Sequence, residues 1–412
     1  MHTSINRRTF LQTMAGTAAA AALDPRCALA APRSALARRF ADLPRHFVFE
    51  YYPWYGVNPV AHWDQDDRRP PIDLASNYMP RLGAYDSKSV TVIEQHAKWI
   101  RETGAGTINV SWWGPGSPID RLMPTLMDVM KAHDLRVTIH LEPYRDRHAA
   151  SYADDVEYLM RELGDKRRWD CLLLLKNADG RDGPVFKSFR TILPPTETDC
   201  RGGTRAVPDY AGDEMWRAQT DRLRRTFAGS FDHITLLADS VNMSRAKASG
   251  FDGIAVYDNY VTPDTWRKYA MGATSEDLVF SFNVNPGFDG IVKRNVEPGS
   301  CYQPPAIQPP LSGRAGTPPS PEERRKASER RIEESFATTV ALQTDAALSN
   351  AARGFLLVYI NSFNEWHEGH QFEPMKDRSD LTEEERAVGY RNPNDGRYRI
   401  KRIKKLLGTV LS

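Results

Sequence analysis

Eight short apolar runs recur along the chain, separated by longer stretches in which apolar positions return every three or four residues. The runs are FVFEYY (Phe47 to Tyr52), TINVSWW (Thr107 to Trp113), RVTIHLE (Arg136 to Glu142), PVFKSF (Pro184 to Phe189), HITLLAD (His233 to Asp239), DGIAVY (Asp252 to Tyr257), LVFSFNV (Leu278 to Val284) and FLLVYIN (Phe355 to Asn361). They are nearly continuous in apolar and β-branched residues, which marks strands buried on both faces. SVTVIEQHAKWIRET, LMPTLMDVMKAHD, YADDVEYLMREL and DEMWRAQTDRLRRTF, lying between them, carry helical spacing. Strand alternating with helix predicts a parallel sheet covered by helices. Eight such units in about 380 residues predict an α/β fold, a single (β/α)8 TIM barrel with extended loops at the strand exits. An open doubly wound sheet would carry a glycine-rich nucleotide turn after its first strand; YYPWYG stands there instead.

Two segments fall outside this rhythm. Residues 1–30 place Arg7 and Arg8 before an Ala-rich stretch and end in small residues at Ala28 to Ala30, the pattern of a twin-arginine export signal. The expected mature domain is then 31–412, with a periplasmic or secreted location. The second segment, EPGSCYQPPAIQPPLSGRAGTPPSPEERRKASERR, is rich in Pro, Gly and Ser and then charged. It predicts a long, partly disordered loop ahead of the eighth strand, an insertion near 297–325.

Composition narrows the function. The 55 basic and 53 acidic residues nearly balance, which gives no basic face for nucleic acid, and no apolar run of the mature part is long enough to span a bilayer. Cys27 lies in the signal, leaving Cys171, Cys200 and Cys301 without metal-type spacing. An oxidising compartment permits a Cys200–Cys301 disulfide; unpaired structural thiols are the simpler reading. Nothing assigns an oligomeric state.

The chemistry collects at the strand exits, where a barrel of this kind forms its active site. YYPWYG follows the first strand, SWWGPG the second, HLEPY the third, YDNY the sixth, NVNPGFD the seventh and NSFNEWHEGHQFEP the eighth. Carboxylates ringed by Trp, Tyr, Asn and His suit a sugar, whose C–H faces stack on aromatic rings while its hydroxyls need polar partners. Glycoside cleavage needs one carboxyl to protonate the departing oxygen and another as nucleophile or base. Glu365 and Glu368, three apart, would share one face of a helical turn, and mutual repulsion would raise one pKa to supply the acid. His367, His370 and Glu373 lie close by, yet E-W-H-E is not a zinc motif, so neither metal nor other cofactor is expected.

YYPWYG, HWD (His62 to Asp64), SWWGPG, HLEPY, GFDGI, NPGFD and NSFNEWHEGHQFEP, in this order, resemble glycoside hydrolase family 99, the endo-α-mannosidases. The resemblance implies a (β/α)8 barrel that cleaves within mannan-like or N-glycan-like chains, at α-1,2 linkages, with retention. It further implies a 1,2-anhydro sugar intermediate, Glu365 as the base acting on the 2-hydroxyl and Glu368 as the acid. It implies substrate contacts from Glu142, Tyr52, His62, Trp63, Trp113, Tyr257 and Asn364. The sequence departs from the family at Lys187 and Arg190 on the fourth exit and at His370 after the EWHEG core, departures that bear on which glycan is preferred. The competing reading is a polysaccharide-binding or glycan-assembly relative with altered or absent hydrolysis; retention of both Glu365 and Glu368 argues against it.

Overall fold

A computed structural model describes residues 34–145, 147–257, 262–310 and 319–412, with the side chains of 164–167 left aside. The export-signal segment 1–30 and part of the Pro-rich insertion lie outside the described residues.

All eight expected strands are present: β1 Phe47–Tyr51, β2 Thr107–Trp112, β3 Arg136–Leu141, β4 Asp182–Ser188, β5 Thr235–Ala238, β6 Gly253–Ala255, β7 in two pieces, Val279–Ser281 and Asn283–Val284, and β8 Val358–Ile360. Each pairs in parallel with the next, from β1 on β2 through β6 on β7. The interruption of β7 closes the ring: its first piece pairs with β6 and its second with β8, which pairs with β1. The expected barrel is therefore closed.

A helix follows each strand: α1 Val90–Thr103, α2 Pro118–Ala132, α3 Tyr152–Leu159, α4 Asp213–Phe227, α5 Met243–Ala248, α6 Pro263–Ser275, α7 Pro321–Thr344 and α8 Tyr398–Leu411. Local chemistry sets their ends. α1 buries Ile93, Ala97 and Ile100, one stripe at helical spacing, and stops at Gly104, whose φ of 93° a residue with a Cβ adopts only at a cost. α7 corrects the expectation of a loop throughout the insertion. The Ser320 hydroxyl and Glu323 carboxylate form a capping box, Pro321 takes the first turn, and the charged half of the segment enters a 24-residue helix. Among the described residues no helix is long and apolar enough to cross a membrane.

The barrel interior is layered. Val48, Val185, Leu237, Val279 and Leu357 fill its lower part as one apolar cluster. Two positions further along the strands the filling turns polar: Glu50, His140 and Lys187 are buried there beside Asn109. Lys187 Nζ lies 2.6 Å from Glu50 Oε1, and Asn109 donates to Glu50 Oε2 at 2.8 Å. Burial alone would push the Glu50 pKa up, but Lys187 and His140 outweigh it and hold it at about 2. Lys187, expected to reshape the cleft at the fourth exit, instead lies beneath it as the counter-ion of Glu50. Arg190 stays at the surface, 4.0 Å from Asp209.

Cys200 and Cys301 form a disulfide, correcting the simpler reading of free thiols; Cys171 is free and buried. The bridge ties the loop after β4 to the loop after β7, and Arg201 adds a hydrogen bond to the Gly299 carbonyl at 2.8 Å.

Candidate active site

After β8 the chain makes a turn rather than the helical turn expected. Ser362 nucleates it: its hydroxyl accepts the Glu365 N–H at 2.8 Å, as a helix cap would. The loop after β7 holds the far side, where Asp289 N–H donates to the Glu368 carbonyl at 3.0 Å and Ile291 N–H to the His367 carbonyl at 2.8 Å. Gly369 ends the turn at φ 69°, where an added Cβ would meet the Asp289 carbonyl oxygen at 2.1 Å. Asp289 is itself anchored by Tyr78, at 2.7 Å, and by Arg324 and Arg391.

Within this turn each carboxylate has an imidazole partner. Glu365 Oε1 is 3.1 Å from both the backbone N and Nδ1 of His367. Glu368 Oε2 is 2.5 Å from His370 Nε2 and accepts from the Tyr257 hydroxyl at 3.2 Å. Burial pushes the Glu368 pKa up; His370 and Tyr257 more than offset this and hold it below the usual carboxylate range. The expected source of an acid, repulsion between the two glutamates, is thus not what governs Glu368. Its side chain keeps 38% exposure, open to the cleft, whereas Glu365 is at 5%.

Aromatic rings wall the space above. Trp54 stacks on His62 at 4.7 Å and 6°, lies 4.7 Å from Tyr52 and 6.2 Å from Trp113, and His62 lies 5.7 Å from His367. Burial, then the nearby His367, depress His62 to about 4, leaving a neutral ring at this rim. Trp113 is 36% exposed, and its Nε1–H donates to Ser111 Oγ, which in turn donates to Glu142 Oε1 at 2.8 Å. Burial raises the Glu142 pKa, and it raises Asp239, whose carboxylate takes the Tyr257 N–H at 2.8 Å, to about 6.

The structure therefore gathers Glu365, Glu368, Tyr52, Tyr257, His62, Trp113 and Glu142 around one cleft. Two expected contacts do not reach it. Trp63 is fully buried, stacked on Tyr55 at 4.1 Å with its Nε1–H donating to the Tyr85 carbonyl. Asn364 is fully buried too; it takes the Tyr52 N–H at 2.8 Å and donates to the Tyr52 carbonyl at 2.9 Å, fastening the first exit to the eighth. Glu373 is structural, buried against Tyr85, Trp366 and His96. Sequence reasoning missed Ser362, although a serine three residues before Glu365 is the spacing of a capping motif.

The sequence model of glycosyl hydrolase family 99 matches residues 44–170, which carry the first three strand exits. Over 367 residues the chain is 26% identical to a glycoprotein endo-alpha-1,2-mannosidase-like protein of Danio rerio, covering 80% of this chain and 72% of that protein. With the glycoprotein endo-alpha-1,2-mannosidase of Rattus norvegicus the identity is again 26%, covering 78% of this chain and 66% of that one. The solved GH99 endo-alpha-mannosidase of Bacteroides thetaiotaomicron shares the fold, with a TM-score of 0.60 at 18% identity over 88% of this chain and 96% of that chain. The chain is thus similar to glycosyl hydrolase family 99 in signature over residues 44–170, to endo-alpha-1,2-mannosidase relatives over about four-fifths of its length, and to a GH99 structure in its barrel fold.

Proposed function

We propose that the chain is an endo-acting α-mannosidase that hydrolyses internal α-mannosidic bonds, α-1,2 bonds among them, with retention. The observation that carries this is the pair of glutamates on the β8 turn, one sheltered and one open to the cleft, each with an imidazole partner beneath an aromatic wall. Glu365 takes the proton of the 2-hydroxyl as that oxygen attacks the anomeric carbon and the glycosidic bond breaks. Glu368 gives its proton to the departing oxygen. The 1,2-anhydro sugar is then opened by water, which loses a proton to Glu368 while Glu365 returns one to O2, leaving the configuration unchanged. Glu142 and Tyr52 bind hydroxyls of the reacting ring, and Trp113 stacks on the next sugar outward.

The Arg7–Arg8 segment and the Cys200–Cys301 bridge both support a site of action in an oxidising compartment, periplasmic or outside the cell. Incubation with an α-1,2-linked mannan, followed by NMR, tests the activity: internal cleavage releasing α-configured product first is expected. Release of β-configured product at first turnover refutes retention, and binding without cleavage refutes hydrolysis.

A further inference from the structure

We infer that His370 is a positioning residue: held as a donor by Ser362, its Nε2–H keeps Glu368 a carboxylate and sets the upper pH limit of glycan cleavage. This rests on the reading of Glu368 as the acid and adds what controls its proton.

The Ser362 oxygen accepts the Glu365 N–H and its O–H is free to donate to the neighbouring His370 Nδ1 at 3.1 Å, while a Glu368 carboxylate facing Nε2 can only accept. A ring that accepts at Nδ1 carries its proton at Nε2. That proton points at Glu368 Oε2, 2.5 Å away. Tyr257 supplies a second donor to the same oxygen and lies 3.4 Å from Nε2. In this arrangement Ser362, His370 and Tyr257 each find an acceptor, and all three favour the ionised form of Glu368, because a neutral carboxyl accepts more weakly. His370 is fully buried, so the ring cannot turn to solvent instead.

The surrounding charges supply less of this control. On the same turn His367, bonded to Glu365 and the His62 carbonyl, lowers Glu368 through its charge, but behind His370 and Tyr257. From the β7 loop, Phe288 faces His370 with an apolar ring, and the Asp289 carboxylate is taken up by Arg324, Arg391 and Tyr78. Below Tyr257, Lys187 lies over its ring, Asp239 holds its backbone and the His140 ring is 6.1 Å away, and Lys187 pairs with Glu50. One hydrogen-bonded line thus runs from the Glu365 backbone through Ser362 and His370 to Glu368. The acid must pick up its proton against that line, so cleavage fails at lower pH than it would without His370.

The test is the pH profile of kcat/KM for His370→Thr and His370→Gln on α-1,2-mannan and on an aryl α-mannoside with a good leaving group. The high-pH limb on mannan should move up by about one unit or more in His370→Thr, as expected for a buried carboxylate that loses a donor. His370→Gln, whose amide can still donate, should stay near the parent, and the aryl substrate should show no such shift. Histidine 15N spectra of the unaltered protein should show Nε2 protonated and Nδ1 bare. An unmoved limb in folded His370→Thr, equal shifts in both variants, or a bare Nε2 overturns the inference. If one of these results appears while Glu368→Gln is inactive on mannan in the same series, the His370 role alone has failed. If Glu368→Gln cleaves mannan normally, the acid assignment falls and this inference with it.

Discussion

Glu365 Oε1 and His367 Nδ1 face each other at 3.1 Å across the turn after β8. His367 Nε2–H donates to the His62 carbonyl at 2.8 Å, so a neutral ring has none left for Nδ1, which lies 3.1 Å from Glu365 Oε1. Either the carboxyl protonates toward Nδ1 or an imidazolium faces a carboxylate. Burial lowers the His367 pKa, yet the bond to Glu365 and its charge outweigh burial and raise it. A raised folded-state value means that this pairing stabilises fully below the ordinary value of 6.5 and is lost as pH rises through the raised one. His367→Asn should lower kcat on mannan and aryl mannoside alike by roughly tenfold to a hundredfold, the worth of a charge-assisted hydrogen bond. A steady-state comparison of the two substrates checks it; a loss confined to mannan would place His367 on the acid side.

Trp113 offers a stacking face at the rim, 36% exposed, without contributing to the barrel core. Trp113→Ala should raise KM for mannan about five- to tenfold, from a stacking contact of about 1 kcal/mol, with kcat nearly unchanged. Isothermal titration with a mannan fragment on a Glu368→Gln background reads the same loss as weaker binding.

Lys187 and Glu50 illustrate what the sequence concealed. Strand positions were legible because eight apolar runs mark chain segments buried on both faces, a local signal. The lysine's partner is 137 residues away, and only barrel closure brings the two together. A charged residue at a strand exit therefore read as part of the cleft. Trp63 and Asn364 misled in the same manner: residue type suggested sugar contact, but Tyr55 and Tyr85 cover Trp63, and the Tyr52 backbone occupies Asn364. That Glu365 and Glu368 lie together on one turn was legible because their motif is local. Their imidazole partners were not, since that pairing depends on a turn fixed by Ser362 and by the loop after β7.

The buried pair makes a stability prediction. Lys187→Met should destabilise the fold by about 3–5 kcal/mol, because Glu50 is left buried without its counter-ion. Adding Glu50→Gln should recover much of that loss in thermal unfolding. The Glu50 pKa is held at about 2 against an ordinary 4.5, so its contribution is present above pH 4.5 and fades as pH falls toward 2.

Gly369 should tolerate no side chain. Gly369→Ala combines a φ of 69° with a Cβ 2.1 Å from the Asp289 carbonyl oxygen. It should cost more than about 1 kcal/mol in stability and move Glu368 enough to reduce mannan cleavage, as unfolding and kinetics together would show.

The division of labour between Glu365 and Glu368 is tested most directly by leaving-group dependence. Measured on α-1,2-mannan and on an activated aryl α-mannoside, Glu368→Gln should lose roughly a hundredfold to ten-thousandfold on mannan while keeping most of its rate on the aryl substrate. Glu365→Gln should lose activity on both. Equal losses by Glu368→Gln on the two substrates, or parental rates for Glu365→Gln, would contradict the assignment.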